Sequence, residues 1–295
     1  QGRRTIAAPV RPQDRDRVGV LGIDGRALLF SLLISVLPVA SVALPPALRA
    51  AKADLGLALK EGSSGTGASV RTRRSQSALV VAQVDVEAAV GVLATDPDVH
   101  GILVQLPLPD GLDADRVLAL IPPEKDVDGL TERSMGRLVR GVAGLVPCTP
   151  LGVMRLLEKY EVPISGSRAV VIGRSTLVGL PLSLLLNRKG VDATVTMAHS
   201  RTPDRGSVVR EADIGVGAAG QARMIKADWV TPGAAVIDVG LSRTETGIVG
   251  DVDFEPVKEV AGWLTPMPGG TGPMTLACLM ENTLTAARMQ GAFSG

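Results

Sequence analysis

The chain has 295 residues, of which 45% are hydrophobic and only 2% aromatic, and its formal net charge of +1 lacks the basic excess of a nucleic-acid-binding protein. This length allows one large domain or two ordinary ones, with a core built from Ala, Val, Leu and Ile. Two unpaired-looking cysteines, Cys148 and Cys278, and two distant histidines, His100 and His199, predict neither a disulfide framework nor a metal site, and they favour a reducing, cytoplasmic compartment.

Residues 1–80 differ in pattern from the rest of the chain. Residues 27–48 contain no charged side chain and are long enough to span a bilayer, although three prolines interrupt them. A buried core segment, a signal-like segment and a membrane span all remain open, and we favour a buried or irregular segment without a membrane partner. Residues 61–79 are rich in Gly, Ser and Arg, which is typical of a mobile loop.

Regular elements are predicted from Val84 onward. Pro97 ends the first predicted helix, Pro107 and Pro109 end the strand that follows, and Thr149 with Pro150 forms an N-cap and N1 pair. The predicted elements are a helix over 86–95, a strand over 101–106, a helix over 114–121, a charged loop over 123–130 and a helix ending at Tyr160.

Residues 169–201 read as strand, glycine turn, helix and second strand. The apolar run 169–172 is fit for a buried parallel strand, Gly173 opens the turn, residues 180–186 supply the helix, and residues 191–197 return to a strand. A dinucleotide phosphate fits such a turn, because backbone N–H groups and a helix N-terminus converge there. The spacing G-x-S-x-x-x-G is weak alone, since an ordinary strand-to-helix turn explains it about as often.

The end of the second strand indicates which dinucleotide binds. An NAD enzyme usually carries Asp or Glu there to hold the ribose 2′-OH. Here the chain reads His199, Ser200 and Arg201, and Arg174 lies in the turn itself. Two guanidinium groups and a hydroxyl suit a 2′-phosphate, so the sequence favours NADP; the alternative is that both arginines are solvated surface charges.

Two further short strands are predicted over 214–216 and 234–239, with a closing helix over 273–289. Gly217, Gly220 and Gly240 follow the strands at their carboxyl ends, where ligands bind in open α/β sheets.

Five segments, in order between Val84 and Thr283, carry a family resemblance. The chain resembles the bifunctional methylenetetrahydrofolate dehydrogenase/methenyltetrahydrofolate cyclohydrolase family. The segments are GILVQLPLP (101–109), PEKDVDGL (123–130), PCTPLGV (147–153), VVIGRSTLVGLPL (170–182) and TPMPGGTGPMT (265–275), with support from VIDVGL (236–241) and GDVDFE (250–255).

The resemblance implies two α/β domains around a cleft, the second a Rossmann-like NADP-binding domain. The first would cover residues 1–147, completed by the C-terminal helix 273–290, and the second residues 148–272. It implies oxidation of 5,10-methylenetetrahydrofolate with NADP and hydrolysis of the methenyl product to 10-formyltetrahydrofolate. It further implies a cytoplasmic homodimer of one-carbon metabolism and purine biosynthesis, with no metal.

Site residues follow from the resemblance by position. Gln105 matches the glutamine that orients the family's catalytic lysine, and Asp128 matches the acid that grips the pterin ring. The plainer alternatives are an amide that bonds backbone for Gln105 and a turn-forming residue for Asp128, a role that Asp126 fits better. The loop facing the folate would contain Pro268, Gly269 and Gly270. The residues that match NADP contacts are Gly173, Arg174, Ser175, Ser200 and Leu241.

One family motif is not found. The family carries a tyrosine and, four residues later, a catalytic lysine, whereas the single tyrosine here, Tyr160, lies elsewhere. The local match places Ser69 and Arg73 at these positions, and an arginine cannot serve as a neutral base. The alternatives to a bifunctional enzyme are therefore a dehydrogenase that has lost the hydrolytic step and an inactive or membrane-tethered NADP-binding homologue.

Overall fold

The computed structural model describes residues 4–5, 86–245 and 247–292, all of which belong to one compact unit. The predicted apolar segment 27–48, the predicted loop 61–79 and Arg73 lie outside the described residues. Within the described part of the chain, no helix is both long enough and apolar enough to cross a membrane.

The described residues form helices and short strands that alternate through the second half of the chain. The helices are 86–95 (α1), Ala114–Leu118 (α2), Glu132–Val139 (α3), Cys148–Lys159 (α4), Gly179–Asn187 (α5), Arg205–Arg210 (α6), Phe254–Lys258 (α7) and Thr271–Met289 (α8). The strands are Arg4–Thr5 (β1), Arg168–Ile172 (β2), Thr194–Ala198 (β3), Ile214–Gly217 (β4), Ala235–Asp238 (β5), Ser242–Thr244 (β6), Gly247–Val249 (β7) and Trp263–Leu264 (β8).

Six strands form a parallel sheet in the order β1-β8-β5-β4-β2-β3, and β6 and β7 pair as a separate antiparallel hairpin. In the parallel register Ile172 lies beside both Ala198 and Gly217, and Gly217 lies beside Asp238. Because these four residues form one row at the carboxyl ends of their strands, the loops that follow them emerge at the same edge. Ligands bind at this edge in open α/β sheets.

The core lies on both faces of the sheet. On one face Val171, Ile214 and Ile237 pack with Leu156 of α4 and Leu182 of α5. The opposite face includes further side chains of the same strands packed with helix and loop residues: Val170, Ile172, Val209, Val236 and Val257. Strands buried on both faces account for the continuous apolar run predicted over 169–172.

Helix α8 joins the sheet region to residues 100–146. It packs along α4, where Arg155 and Glu281 form an ion pair at 2.9 Å. Beyond its end, Gln290 Nε2 donates to His100 O at 2.8 Å and to Glu124 O at 2.9 Å. The closing helix therefore contacts the segment that precedes α4.

Four sequence predictions need correction. The strand predicted over 101–106 is wrong, because within this segment only Ile102 pairs with a described residue, through a single parallel bridge to Asp126. The helix predicted over 114–121 ends at Leu118, before the pair of prolines that opens the next loop.

The other two corrections concern element starts. Helix α4 begins at Cys148 with Pro147 at its N-cap, so Thr149 and Pro150 lie within the first turn, where proline's missing N–H is tolerated. Strand β3 begins at Thr194 rather than 191, because Ala193 N–H donates back to Leu186 O at 3.0 Å and closes the turn after α5.

Candidate active site

The turn after β2 is compact because Gly173 lies against the backbone of the neighbouring strand's loop. Its φ is 135°, and a Cβ at this position would collide with the carbonyl oxygen of Ala218. Ser175 Oγ accepts the N–H of Val178 at 3.2 Å, and Ser175 O accepts the N–H of Leu180 at 3.0 Å, which starts α5. Ser175 therefore shapes the turn, and its hydroxyl hydrogen can still be donated to a bound oxygen.

Two guanidinium groups emerge at this edge. Arg174 follows β2 and Arg201 follows β3, and both are exposed. The second turn is fixed locally, since Arg201 N–H donates to His199 Nδ1 at 3.2 Å, and the neighbouring Ser200 is exposed as well. Residues 199–203 contain no carboxylate, so the arrangement fits a ribose that carries a 2′-phosphate. Leu241, 58% exposed, follows β5 at the same edge.

A cavity of about 290 Å³ lies beside this edge and brings predicted residues of both kinds together. Gln105 and Asp128 line it, and so do Leu177 and Val178 of the turn that follows β2. Its remaining lining comes from residues 103–106, Leu130, the start of α4 and one face of α8: Leu103, Val104, Leu106, Leu130, Cys148, Thr149, Thr275, Leu276 and Leu279. The cavity thus joins a carboxyl group to the nucleotide turn across an apolar wall.

Asp128 and the nearby Asp126 have different roles. Asp126 is buried, and its two carboxylate oxygens accept the N–H groups of Leu130 at 3.2 Å and Thr131 at 2.9 Å. Gly129 has a φ of 67°, and a Cβ there would lie 2.6 Å from Pro147 N. Asp126 therefore holds the loop, as expected for the plainer role, and leaves the Asp128 carboxyl half-buried in the cavity.

The electrostatics of Asp128 depend on burial and on Cys148. Burial raises the pKa of Asp128, its hydrogen bond with the Cys148 thiol lowers it, and the nearby Asp126 raises it further. Burial also raises the pKa of Cys148 far above its usual range, with the Asp128 charge acting in the same direction. Cys148 stays a protonated thiol and acts as a partner of Asp128, since only a thiolate would be a nucleophile.

Asn282 was not predicted from the sequence, yet it organises this region. Its Nδ2 donates to Val127 O at 2.9 Å and to Val146 O at 2.8 Å, and it lies 3.5 Å from Cys148 Sγ. The available signal was an amide on the buried face of α8, four residues after Cys278 and four before Ala286. A buried polar side chain at core spacing needs partners, and here those partners are the backbone on both sides of the Asp128 loop.

The remaining predicted residues are placed as follows. Gln105 is exposed, and its Nε2 donates to Leu106 O at 3.0 Å. Pro268 and Gly269 are exposed and Gly270 is buried in the loop before α8, and none of them lines the 290 Å³ cavity. No lysine or tyrosine belongs to the lining drawn from the described residues.

Family comparisons agree along most of the chain. The tetrahydrofolate dehydrogenase/cyclohydrolase NAD(P)-binding domain matches residues 147–291, and the catalytic domain of the same family matches residues 62–128.

Two curated relatives of the same family are similar to this chain over most of its length. The chain is 58% identical over 206 residues to bifunctional protein FolD 2 of Frankia alni, covering 70% of this chain and 71% of that one. It is 50% identical over 221 residues to bifunctional protein FolD of Oleidesulfovibrio alaskensis, covering 74% and 77%.

Two solved structures share the fold. The bifunctional FolD methylenetetrahydrofolate dehydrogenase/cyclohydrolase of Campylobacter jejuni has 46% identity and a TM-score of 0.68, with 70% of this chain and 74% of that chain covered. The Trypanosoma brucei methylenetetrahydrofolate dehydrogenase-cyclohydrolase, solved with NADP cofactor and inhibitor, has 43% identity and a TM-score of 0.66, with 70% and 73% covered.

Proposed function

The chain belongs to the tetrahydrofolate dehydrogenase/cyclohydrolase family, and we propose how its residues perform that family's two reactions. It is an NADP-dependent methylenetetrahydrofolate dehydrogenase and methenyltetrahydrofolate cyclohydrolase of one-carbon metabolism. In the first reaction the methylene C–H bond gives a hydride to NADP⁺, which leaves a methenyl cation. In the second, water adds to that cation, one C–N bond opens and a proton is released, which leaves 10-formyltetrahydrofolate.

The cofactor end of the site consists of the loops after β2, β3 and β5. NADP supplies the hydride acceptor when it is bound. The Gly173 turn would bring backbone N–H groups and the start of α5 to the pyrophosphate, and Ser175 would donate its hydroxyl hydrogen to a pyrophosphate oxygen. Arg174, Arg201 and Ser200 would hold the 2′-phosphate, because all three are exposed in the loops that follow the adjacent parallel strands β2 and β3. Leu241 would give the bound cofactor an apolar contact.

The substrate end of the site is centred on Asp128. The observation that carries this assignment is the cavity in which its half-buried carboxyl faces Leu177 and Val178 of the cofactor turn. A carboxylate accepts two N–H bonds from a pterin edge, and the apolar lining fits the ring face. Gln105 lies in the same cavity. The loop containing Pro268, Gly269 and Gly270 does not line this cavity, and we assign it to the folate by the family resemblance. Positioning of the substrate over the nicotinamide is the main demand of the first reaction.

The second reaction depends on residues outside the described part of the chain. We assign Arg73, within the segment matched by the catalytic-domain model, to the family's lysine position, where its charge would stabilise the reaction. A dehydrogenase without the hydrolytic step is the second candidate, because an arginine at the lysine position stays protonated and cannot serve as a neutral base.

Replacement of Asp128 tests the substrate assignment. Asp128→Asn should raise the dissociation constant for tetrahydrofolate roughly 10- to 100-fold, because a hydrogen bond to a charged group contributes about 1.5–3 kcal/mol. The dissociation constant for NADPH should change less than about twofold, because Asp128 lies at the substrate end. Asp110→Asn, an exposed carboxylate in the loop before α2, is the matched control. If folate and NADPH binding weaken together, Asp128 does not have the proposed role.

We further propose a two-domain division at residue 147, with residues 148–272 as the NADP-binding domain and the 273–290 helix completing the first domain. A cytoplasmic homodimer that supplies purine biosynthesis follows from the family resemblance. The exposed apolar side chain of Ile248 in β7 supports association through the NADP-binding domain. The near-neutral charge supports the absence of a nucleic-acid partner. Light scattering of the purified chain tests the dimer.

A further inference from the structure

Asp251 binds the backbone of a loop that none of the assignments above uses. The side chain is fully buried after β7, and it accepts three consecutive amide N–H groups. Its Oδ2 accepts from Ala219 at 2.6 Å and from Gly220 at 3.1 Å, and its Oδ1 accepts from Gln221 at 2.7 Å. These amides belong to the loop after β4, so the Asp251 carboxylate fixes the conformation of that loop.

Asp238 holds Asp251 in turn. It is also buried, at the end of β5, and its Oδ1 accepts the N–H of Asp251 at 2.9 Å and of Gly240 at 3.1 Å. Its Oδ2 accepts the N–H of Val252 at 3.0 Å. A Cβ on Gly240 would collide with the Asp251 carboxyl, and a Cβ on Gly250 would collide with the Asp238 carboxyl. The two carboxylates and two glycines therefore interlock.

The loop that Asp251 holds touches both halves of the cofactor site. The carbonyl oxygen of Ala218 packs against Gly173, and Ala218 N–H donates to Ile172 O at 2.8 Å. On the other side, Gly220 O accepts the hydroxyl of Ser242, the residue after Leu241, at 3.2 Å. Displacement of residues 218–221 would therefore move the Gly173 turn and the Leu241 segment together.

The Asp238 backbone extends the connection to the substrate loop. Its N–H donates to Thr265 Oγ1 at 2.6 Å, and its carbonyl oxygen accepts the hydroxyl of Thr271 at 3.1 Å. Thr265 and Thr271 flank the 266–270 loop at its two ends. One residue thus connects the cofactor loops to the loop proposed to face the folate.

Burial of two carboxylates carries an unfavourable desolvation free energy. Among the described residues, neither Asp238 nor Asp251 forms an ion pair with a cation; their acceptor capacity is met by backbone amides. Removal of a carboxylate from water is offset only when such bonds are well formed. The arrangement gains a fixed backbone position for six amides, which is what a nucleotide site requires.

We infer that the Asp238–Asp251 pair is a positioning device that fixes the loops 218–221 and 239–242 in the conformation NADP requires. Asp251 acts through the backbone and does not touch the cofactor. This inference rests on the proposed NADP site, so binding by the unaltered chain is measured first. If the unaltered chain fails to bind NADPH, the proposed function is overturned; if it binds, the variants below decide the inference.

Asp251→Asn keeps the side-chain shape but replaces one acceptor oxygen with an NH₂ donor that faces backbone N–H groups. We expect the NADPH dissociation constant, measured by quenching of tryptophan fluorescence, to rise about tenfold or more, because the new NH₂ group leaves a buried backbone N–H without an acceptor. The KM for NADP⁺ should rise likewise, while kcat at saturating NADP⁺ stays within about threefold, because the reacting groups are untouched. Asp253→Asn is the matched control: Asp253 lies two residues after Asp251, and its replacement removes only a partly exposed ion pair with Lys226.

Ser242→Ala keeps the inference testable if the Asp251 variant does not fold. It removes only the hydroxyl bonded to Gly220 O on the accessible side of the same loop. We expect a two- to threefold rise in the NADPH dissociation constant, which equals about 0.5 kcal/mol or slightly more at about 1.4 kcal/mol per tenfold change. The melting temperature should not change. If Asp251→Asn folds and binds NADPH with wild-type affinity, the inference is overturned, whether or not thermal stability falls, because the pair would then be purely structural. If Asp251→Asn does not fold, wild-type affinity of Ser242→Ala for NADPH overturns the inference in the same way.

Discussion

Asn282 on the last helix holds the residue that immediately precedes Asp128: its Nδ2 donates to Val127 O at 2.9 Å. The same amide group donates to Val146 O at 2.8 Å, just before α4. Helix α8 is thereby bonded to the segment that carries Asp128 and to the segment that leads into α4.

Asn282→Ala should weaken folate binding without affecting NADP binding. The substitution removes the donor to Val146 O and leaves Val127 O with only the Cys148 thiol, at 3.3 Å, at a cost of about 1–3 kcal/mol in total, and it lets the Asp128 loop move. We expect the KM for methylenetetrahydrofolate to rise roughly tenfold, the urea midpoint to fall, and the KM for NADP⁺ to stay within about twofold. Thr283→Ala, on the exposed side of the same helix turn, is the control and should match the unaltered enzyme. Unchanged folate kinetics in a folded Asn282→Ala enzyme would contradict this role.

Comparison of Gly129→Ala with Gly141→Ala separates the cost of a positive φ from the cost of a close backbone contact. Gly129 has a φ of 67° and a virtual Cβ 2.6 Å from Pro147 N, whereas Gly141 has a φ of 65° and no atom within 4 Å of its Cβ. Gly141→Ala should therefore lose only about 1 kcal/mol of unfolding free energy from backbone strain. Gly129→Ala should lose at least about 1 kcal/mol more, because the Asp128 loop must separate from the start of α4. Urea unfolding of the two variants measures the difference, and equal losses would mean that the close approach is unimportant.

The pKa of Asp238 predicts a pH dependence of stability. Burial raises this pKa from 3.8 to about 6, against the opposing effect of N–H bonds from Val252 and Asp251. A carboxyl whose pKa is higher in the folded state binds its proton more tightly there, so its stabilising contribution is complete below pH 4 and is lost as the pH rises through 6. The full difference is about 3 kcal/mol at most, at about 1.4 kcal/mol per pKa unit.

Asp238→Asn removes this titration. Urea unfolding of both proteins between about pH 4.5 and 7.5, a range that covers the loss of stability around pH 6, should show the unaltered chain gaining stability over the variant as the pH falls. Asp251, whose pKa is also raised by burial, remains in both proteins. Parallel profiles for the two proteins would show that Asp238 titrates at an ordinary pKa.

Arg174→Ala should reduce the preference for NADP over NAD. Loss of one charge-assisted bond to the 2′-phosphate costs about 1.5–3 kcal/mol, so the ratio of the two kcat/KM values should fall roughly 10- to 100-fold. Arg188→Ala is the matched control, since Arg188 is equally exposed but lies beyond the far end of α5. A ratio that is unchanged by Arg174→Ala would leave Arg174 as a solvated surface charge.

The local sequence pattern was sufficient to predict the secondary structure around the nucleotide turn. The strand, turn and helix around Gly173 were predicted within two residues, because a buried parallel strand and an apolar helix leave strong signals over a short span. The α/β architecture was predicted from the family resemblance, and the parallel sheet and the comparisons confirm it.

Contacts distant in sequence left no comparable signal. Asn282 bonds Val127 across 155 positions, and Asp251 bonds Ala219 across 32, so neither role could be predicted from periodicity or spacing. The strand predicted over 101–106 was wrong because an apolar run specifies burial and not a pairing partner, and only Ile102 has one among the described residues.

The bifunctional assignment is tested most directly by one time course with methylenetetrahydrofolate and NADP⁺. NADPH and methenyltetrahydrofolate are read by absorbance, in parallel samples with and without an acid quench that converts 10-formyltetrahydrofolate back to the methenyl form. We expect NADPH to form while the methenyl signal stays low without acid and matches NADPH after acid, because hydrolysis follows oxidation in the same protein. A methenyl signal that persists without acid would contradict the hydrolytic step and identify a dehydrogenase alone, and the absence of NADPH would contradict both activities.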